Sequence, residues 1–351
     1  MKRFKFQCIV KHPAAGVSRS VKSFLFLLCA AAVLICSCTK ASSKPLKMVF
    51  YPNESNESMK DARAAFQEIL HEATGRPVEI LTTTDYNIAL EALVSGKADM
   101  AYVGAEGYLA AHNRNNAVIP VATNSGASGT LDDAKYYSFI AVQRKDADSY
   151  KKDDGSYNLS LLQGKKISFV GASSTSGFVI PARVLATAFS LDKTDDLILS
   201  DRVFSKVLFA GSHQGSQINL FKGDADAAVF AIPQTIGVYE LLEGKPYQTG
   251  ASYRVTAGAD EPFSAFAGNE ITVIRSIPVL NAPITINTKT VSASEIAKIR
   301  AALTSDKTAH NPGIFNVKDS GKRGIYPKYS EKTRLVPTDD SWYDELRNAA
   351  Q

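Results

Sequence analysis

Beyond residue 38 this 351-residue chain has no cysteine; the four it contains are Cys8, Cys29, Cys36 and Cys38. That absence excludes disulfide staples and thiolate metal sites from the remainder of the chain. After Ile35 no stretch approaches the roughly 18 apolar residues of a membrane-spanning helix, so the bulk of the chain reads as a soluble domain. Surplus positive charge is missing as well. The net charge of +5 owes its sign to Lys2, Arg3, Lys5, Lys11, Arg19 and Lys22, six cations with no acid among the first 37 residues; without them +5 becomes −1. A surface so close to neutral offers no basic face to nucleic acid. There is also no Gly-x-Ser-x-Gly elbow, the usual sequence sign of a serine hydrolase.

The N-terminus, by contrast, is crowded with signal. Its basic stretch leads into the apolar run Phe24–Ile35, twelve residues long. A basic region followed by about 7–15 apolar residues is an export pattern, too short to span a bilayer comfortably. The run ends in Ile35-Cys36-Ser37-Cys38, which resembles the bacterial lipobox, with Thr39 to Lys44 as a polar tether. Residues 1–37 are therefore expected to be a signal peptide, Cys38 the lipid-bearing mature N-terminus and 38–45 the tether. Acyl chains supply the anchoring free energy, at about 0.8 kcal/mol per buried CH₂.

Removing 37 of 351 residues leaves 314, more than one core usually supports, so two domains are expected. The hydrophobic pattern alternates between strand and helix. Lys47–Tyr51 reads as a strand, Ser58–Ala73 as an amphipathic helix ending at Gly75, and Val78–Leu81 as the next strand. Helix Asn87–Val94, strand Ala98–Val103, a helix through Ala111, and strands Val118–Ala122 and Ser138–Val142 follow. A second series comprises strand Lys166–Val170, helix Phe178–Phe189, strand Val203–Phe209, helix Gln214–Phe221, strand Ala225–Phe230 and helix Gln234–Leu242. Such alternation implies α/β architecture with open, mostly parallel sheets, whose ligands bind beyond the carboxyl ends of the strands. No internal repeat and no low-complexity linker is visible.

Three strand-to-helix turns carry chemistry. In Gly171-Ala-Ser-Ser174-Thr175-Ser176-Gly177 the hydroxyls and free backbone N–H groups converge where a helix dipole is positive, a site for an oxyanion that needs no Lys or Arg. An ordinary N-cap would account for one hydroxyl but not for the run. In Phe209-Ala-Gly-Ser212-His213 an imidazole sits at a helix start, either as a neutral N–H donor to an anion or as a capping residue. In Thr84-Asp85-Tyr86 the phenol is either a donor to a ligand or a packing aromatic.

Together with Tyr51-Pro52, Ala98-Asp99-Met100-Ala101-Tyr102-Val103-Gly104, Tyr136-Tyr137-Ser138 and Gly223-Asp224-Ala225-Asp226-Ala227-Ala228, these turns resemble the PhnD-type phosphonate/phosphite/phosphate receptors of ABC importers, from about residue 46 to about 304. The resemblance implies a type II periplasmic-binding-protein fold with open mixed sheets: lobe 1 from 46–140 plus 276–351, lobe 2 from 146–267, and hinge crossings at 141–145 and 268–275. It implies that Ser174, Thr175, Ser176 and His213 hold the phosphonyl oxygens from lobe 2. Tyr86 and Tyr136, with Tyr137 the alternative to Tyr136, close from lobe 1. A permease partner, a monomeric receptor and no cofactor or metal complete the implied picture.

The departures bear on the ligand. Receptors of this family that take aminoalkylphosphonates place carboxylates where this chain has Val229-Phe-Ala-Ile-Pro233 and Ser276-Ile-Pro-Val-Leu-Asn-Ala-Pro283. A buried ammonium would go unpaired there, at a cost of several kcal/mol, so phosphite, methylphosphonate or phosphate fits better than 2-aminoethylphosphonate. Tyr102 stands in the family's usual Trp position. Ser176, His213 and Asp224 or Asp226 could be combined into a hydrolase triad, and the same fold could serve a sensory or adhesive lipoprotein. Beyond about residue 305 the resemblance fades: Asp306–Ser330 reads as loop, and Ser341–Arg347 as a short terminal helix packed on lobe 1.

Overall fold

A computed structural model describes residues 44–52, 59–231, 238–317 and 319–348. The folded unit begins at Pro45; the export segment and Cys38 lie outside the described residues. Two sheets organise this unit. The first runs from edge to edge as β15 (Leu335–Pro337), β4 (Val118–Asn124), β12 (Pro283–Asn287), β3 (Met100–Tyr102), β1 (Leu46–Phe50) and β2 (Val78–Thr82). The second runs as β7 (Lys206–Phe209), β6 (Lys166–Phe169), β8 (Ala227–Phe230), β5 (Lys135–Gln143), β11 (Glu270–Leu280), β10 (Ser252–Val255) and β9 (Tyr239–Glu243). The first sheet is built on the parallel strands β1 (Leu46–Phe50), β2 (Val78–Thr82) and β3 (Met100–Tyr102). The second is built on the parallel strands β6 (Lys166–Phe169), β7 (Lys206–Phe209) and β8 (Ala227–Phe230).

The two parallel cores have the same order, β2-β1-β3 and β7-β6-β8, a repetition of topology that leaves no trace as sequence identity. One chemical trace does remain. The Asp99 carboxylate accepts the Lys47 N–H at the start of β1, and the Asp226 carboxylate accepts the Lys166 N–H at the start of β6, both at 2.8 Å. Each Ala-Asp pair thus caps the neighbouring strand, which gives Asp226 a structural task.

Helices α1 (Lys60–Thr74), α2 (Tyr86–Val94) and α3 (Ala105–Arg114) belong with the first sheet. The apolar stripe of α1 buries Ala65, Phe66, Ile69 and Leu70 against β1 and β3, and left-handed Gly75 ends the helix (φ 69°). The Asp85 side chain accepts the Asn87 and Ile88 N–H groups and so starts α2. On the second sheet, helix α4 (Ile180–Ala188) continues a single π turn, Thr175–Val179, and α5 (His213–Lys222) is capped by Ser212. Helix α6 (Ala293–Leu303) carries a complete capping box, Ser292 with Glu295, and packs on the first sheet.

Both sheets are mixed because antiparallel strands extend the parallel cores. Strand β4 (Val118–Asn124) lies in the first sheet, whereas β5 (Lys135–Gln143) lies in the second, paired with β11 (Glu270–Leu280) from Lys135↔Leu280 to Gln143↔Ile271. Strand β12 (Pro283–Asn287) returns to the first sheet between β3 and β4. The chain therefore passes between sheets over residues 125–134 and 281–282. The expected crossings, 141–145 and 268–275, instead fall at and around the paired ends of β5 and β11, because sequence order alone gives a strand to the lobe that precedes it. Tyr136 consequently belongs to the second sheet, not to lobe 1. The crossings are stitched together: Asn281 N–H donates to the Ala134 carbonyl (3.0 Å) and Thr123 Oγ1 to the Ala282 carbonyl (3.0 Å).

Two other expectations fail. The helix expected over Gln234–Leu242 is, where described, the strand β9 (Tyr239–Glu243), paired antiparallel with β10 (Ser252–Val255). Pairing along the sheet edge overrides an apolar spacing that suits either structure. Residues 306–330 are more than loop: they hold a helical turn at Asp306–Ala309 and the short pair β13 (Phe315–Asn316) and β14 (Tyr326–Pro327). Strand β15 (Leu335–Pro337) then joins the edge of the first sheet beside β4. The terminal turn begins at Asp340, and its Tyr343 packs into the first-sheet core as expected.

Candidate ligand site between the two sheets

The carboxyl ends of the parallel strands in both sheets converge on one cavity of about 140 Å³. All six residues singled out from the sequence line it: Tyr86, Tyr136, Ser174, Thr175, Ser176 and His213. Tyr86 starts α2 after β2, Ser174–Ser176 follow β6, and His213 starts α5 after β7. Tyr136 and Tyr137 both reach the cavity from the start of β5. Tyr136 is hydrogen-bonded to Ser176, while Tyr137 is exposed and stacks on Tyr247 at 5.8 Å.

The hydroxyl run is built for donation. Ser174 Oγ accepts the Gly177 N–H (3.1 Å) as the N-cap and is also hydrogen-bonded to Tyr86. Thr175 Oγ1 accepts the Glu106 N–H (3.0 Å) from the first turn of α3. A hydroxyl has one donor and two acceptor positions. The Thr175 O–H therefore remains for a ligand, and of Ser174 and Tyr86 one O–H goes into their shared hydrogen bond while the other remains. Backbone N–H groups at the helix start lack intrahelical partners and add to the same positive end. Sequence reasoning sets the N-cap against anion binding; Ser174 can do both.

His213 is fully defined by its neighbours. Its Nδ1 accepts the Ala231 N–H (3.0 Å), so the neutral ring carries its proton on Nε2 and offers that N–H as a donor. An Nδ1 that accepts from an amide is not oriented by a carboxylate, and Asp226 is engaged at β6. Burial pulls the imidazole down from 6.5 to about 4, and it pushes the Tyr136 phenol up to about 12. Burial also holds the Tyr86 phenol far above its ordinary range. The donors are therefore neutral at physiological pH.

A consequence for stability follows from His213. The unfolded chain takes up a proton near pH 6.5 and the folded one near pH 4, so between these values the unfolded state binds more protons and stability falls as the pH falls. The loss begins near pH 6.5, is complete near pH 4 and is on the order of 3 kcal/mol. The denaturant midpoint of the wild type is expected to drop further between pH 7.5 and 4.5 than that of His213→Gln. Parallel curves would place the imidazole in surroundings no different from solvent.

The lobes meet around the cavity. The Tyr86 ring lies against Gly171, whose Cβ position would be 3.4 Å from it. Arg183 of α4 reaches Glu106 of α3 at 2.6 Å, with the carboxylate side chain 12 % exposed. The cavity walls carry eight tyrosines, Asn124 and Asn281, but no Asp, Glu, Lys or Arg among the described residues.

The family model for periplasmic substrate-binding proteins of ABC phosphonate transporters matches residues 48–343. The chain belongs to this family. The match runs well past residue 304, so the C-terminal segment is part of the family domain rather than an appendage. The receptor is 25 % identical to the phosphate-import protein PhnD of Mycolicibacterium smegmatis over 253 residues, 67 % of this chain and 74 % of that one. Its fold is shared with PhnD1 from Prochlorococcus marinus in complex with methylphosphonate (TM-score 0.60, 13 % identity, 88 % and 97 % of the two chains). It is shared equally with a binding-protein component of an ABC phosphonate transporter from Pseudomonas aeruginosa (TM-score 0.59, 17 % identity, 87 % and 85 %).

The receptor's cavity also contains residues that sequence reasoning misses. Tyr51 enters there only as a motif residue, and Asn124, Tyr247, Asn281, Ile325, Tyr326, Pro327 and Tyr329 carry no sign of being lining. Asn124 and Asn281 flank the crossings, and the Asn281 carboxamide donates to the Asn124 carbonyl (2.7 Å). Their place follows from where the chain changes sheets, which no local pattern announces. Tyr102 lines the cavity, as the motif resemblance implies.

Proposed function

We propose that this receptor is anchored through a lipid on Cys38 and acts as a monomer. It captures one small phosphorus oxyanion, a phosphonate, phosphite or phosphate, and presents it to an ABC permease. The observation that carries the reading is the composition of the cavity: Ser174, Thr175, Ser176 and His213 on one side and Tyr86 on the other, every donor neutral, with helix N-termini behind them. Oriented neutral dipoles in a dry site stabilise an anion without a fixed cation. The phosphate-import relative and the methylphosphonate complex of the structural neighbour support the same ligand class.

Size narrows it further. A cavity of about 140 Å³ compares with the roughly 150 Å³ that admits benzene, a size suited to a phosphonate with a short substituent. Each lobe alone offers half a site, so the ligand favours the closed state by its differential affinity. Thermal-shift measurements on the mature protein should show stabilisation by phosphate, phosphite or methylphosphonate through mass action. 2-Aminoethylphosphonate should give little, because no carboxylate lines the cavity among the described residues to meet its ammonium. A large shift with the amine and none with the others would refute the reading of the walls.

A further inference from the structure

Glu106 holds the hydroxyl-bearing turn of the opposite lobe at two points. It stands in the first turn of α3, where the positive end of the helix favours a carboxylate whatever lies across the cleft. Its backbone N–H donates to Thr175 Oγ1 (3.0 Å), and its side chain accepts from Arg183 (2.6 Å). Thr175 opens the π turn that leads into α4, and Arg183 lies on α4 itself. One residue of the first lobe thus pins both ends of a π turn, an uncommon conformation that recurs at functional sites. The Glu106 side chain is 12 % exposed and that of Arg183 29 %, so water and salt screen this pair less than a surface pair. Beside it, Val170 and Ile180 of the second lobe pack into the apolar cluster of Tyr86, Ala105 and Leu109 of the first. A second cross-lobe pair differs: Arg323, whose N–H is held by Asp61 of α1, meets Asp260 with side chains 40 % and 67 % exposed. Neither Glu106 nor Arg183 lines the cavity, so neither touches a ligand held there.

We propose that Glu106, with Arg183 as its partner, is a positioning residue: the pair locks the Ser174–Ser176 turn against the first lobe and sets how slowly a bound ligand leaves. This role rests on the phosphorus-oxyanion reading of that turn and adds to it the contact that keeps the turn apposed to Tyr86. The Glu106 N–H occupies an acceptor position of Thr175 Oγ1 and leaves the Thr175 hydrogen for the ligand. That division of roles lasts only while the lobes meet at Glu106. Closure also takes both charged side chains partly out of water, and each offsets the other's desolvation. Removing one charge leaves the other unpaired in the closed arrangement and so penalises closure, whereas removing both does not.

The test uses radiolabelled inorganic phosphate and methylphosphonate on the mature wild type, Glu106→Gln, Arg183→Gln, the double variant and Asp260→Asn. Dissociation chased with unlabelled ligand should be roughly tenfold faster in each of Glu106→Gln and Arg183→Gln, with association changed by less than roughly twofold. The double variant should release ligand no faster than either single one, because the two side chains act as a pair. Asp260→Asn should match the wild type, since an exposed pair contributes little. Wild-type dissociation rates in both single variants, losses that add in the double variant, or an equal acceleration in Asp260→Asn would overturn the proposal. If the wild type binds neither probe, the phosphorus reading falls, and small-angle scattering of the ligand-free proteins judges the pair by itself. There Glu106→Gln and Arg183→Gln should each have a larger radius of gyration than the wild type, and equal radii would overturn the proposal.

Discussion

Ser174→Ala and His213→Ala should each weaken phosphorus-oxyanion binding by about 1.5–3 kcal/mol, roughly ten- to 150-fold in dissociation constant, the scale of a hydrogen bond to a charged group. The two changes should differ in what else they do. Ser174 Oγ also caps the turn that leads into α4, accepting the Gly177 N–H, so its removal adds a stability cost of about 1 kcal/mol. His213 Nδ1 accepts the Ala231 N–H, and alanine leaves that buried amide unpaired. Titration calorimetry combined with denaturant melts separates these effects, since His213→Gln and Ser174→Thr retain a polar side chain at each position. Unchanged affinity in both alanine variants would show that the hydroxyl run and the imidazole are scaffold only.

Gly104→Ala should lower the affinity for every ligand at least tenfold, about 1.4 kcal/mol, without unfolding the protein. Gly104 precedes α3 with φ −64°, an ordinary conformation for alanine. Its added Cβ would, however, lie 2.4 Å from Thr175 Oγ1 and 3.1 Å from Thr175 Cβ in the opposite lobe. Nothing within either lobe objects to the methyl group; only the closed arrangement does. The Glu106 N–H bond to Thr175 and the Glu106–Arg183 ion pair sit beside this contact, so separating the lobes here weakens both. Affinity measured by calorimetry should fall while the melting temperature without ligand moves by only a few degrees. Wild-type affinity would mean that the lobes do not approach at Thr175 when the ligand is held.

These two expectations draw on features of unequal legibility in the sequence. The strand-to-helix turns can be read there because their chemistry is local: a strand ends, a cap begins, and the donors needed by the helix are the donors offered to a ligand. Ser174, His213 and Tyr86 all sit at such positions. The crossings cannot be read the same way. Strand β5 looks like a continuation of the first series, and it is its pairing with β8, from Phe139↔Phe230 to Val142↔Ala227, that assigns it, and Tyr136 with it, to the second sheet. Tyr326 is further out of reach, because the segment carrying it has Gly, Pro and Lys like a loop, and its β-structure is a two-residue pair with Phe315-Asn316. Strand β9 escapes for a related reason: an edge strand is specified by the partner it finds, not by its own apolar spacing. Glu106 shows the same limit from another side. A surface-type residue in the first turn of a helix gives no sign that it will face Arg183 across the cleft.

The central claim is that a neutral cavity between the lobes holds one compact phosphorus oxyanion. Its most direct test is calorimetric titration of the mature protein with methylphosphonate and phosphate, with sulfate as the anion control. The expected result is saturable binding of at least one phosphorus ligand at one site per chain, abolished or strongly weakened in Gly104→Ala and His213→Ala. Absence of binding by either phosphorus ligand, or binding that both variants leave untouched, would contradict it.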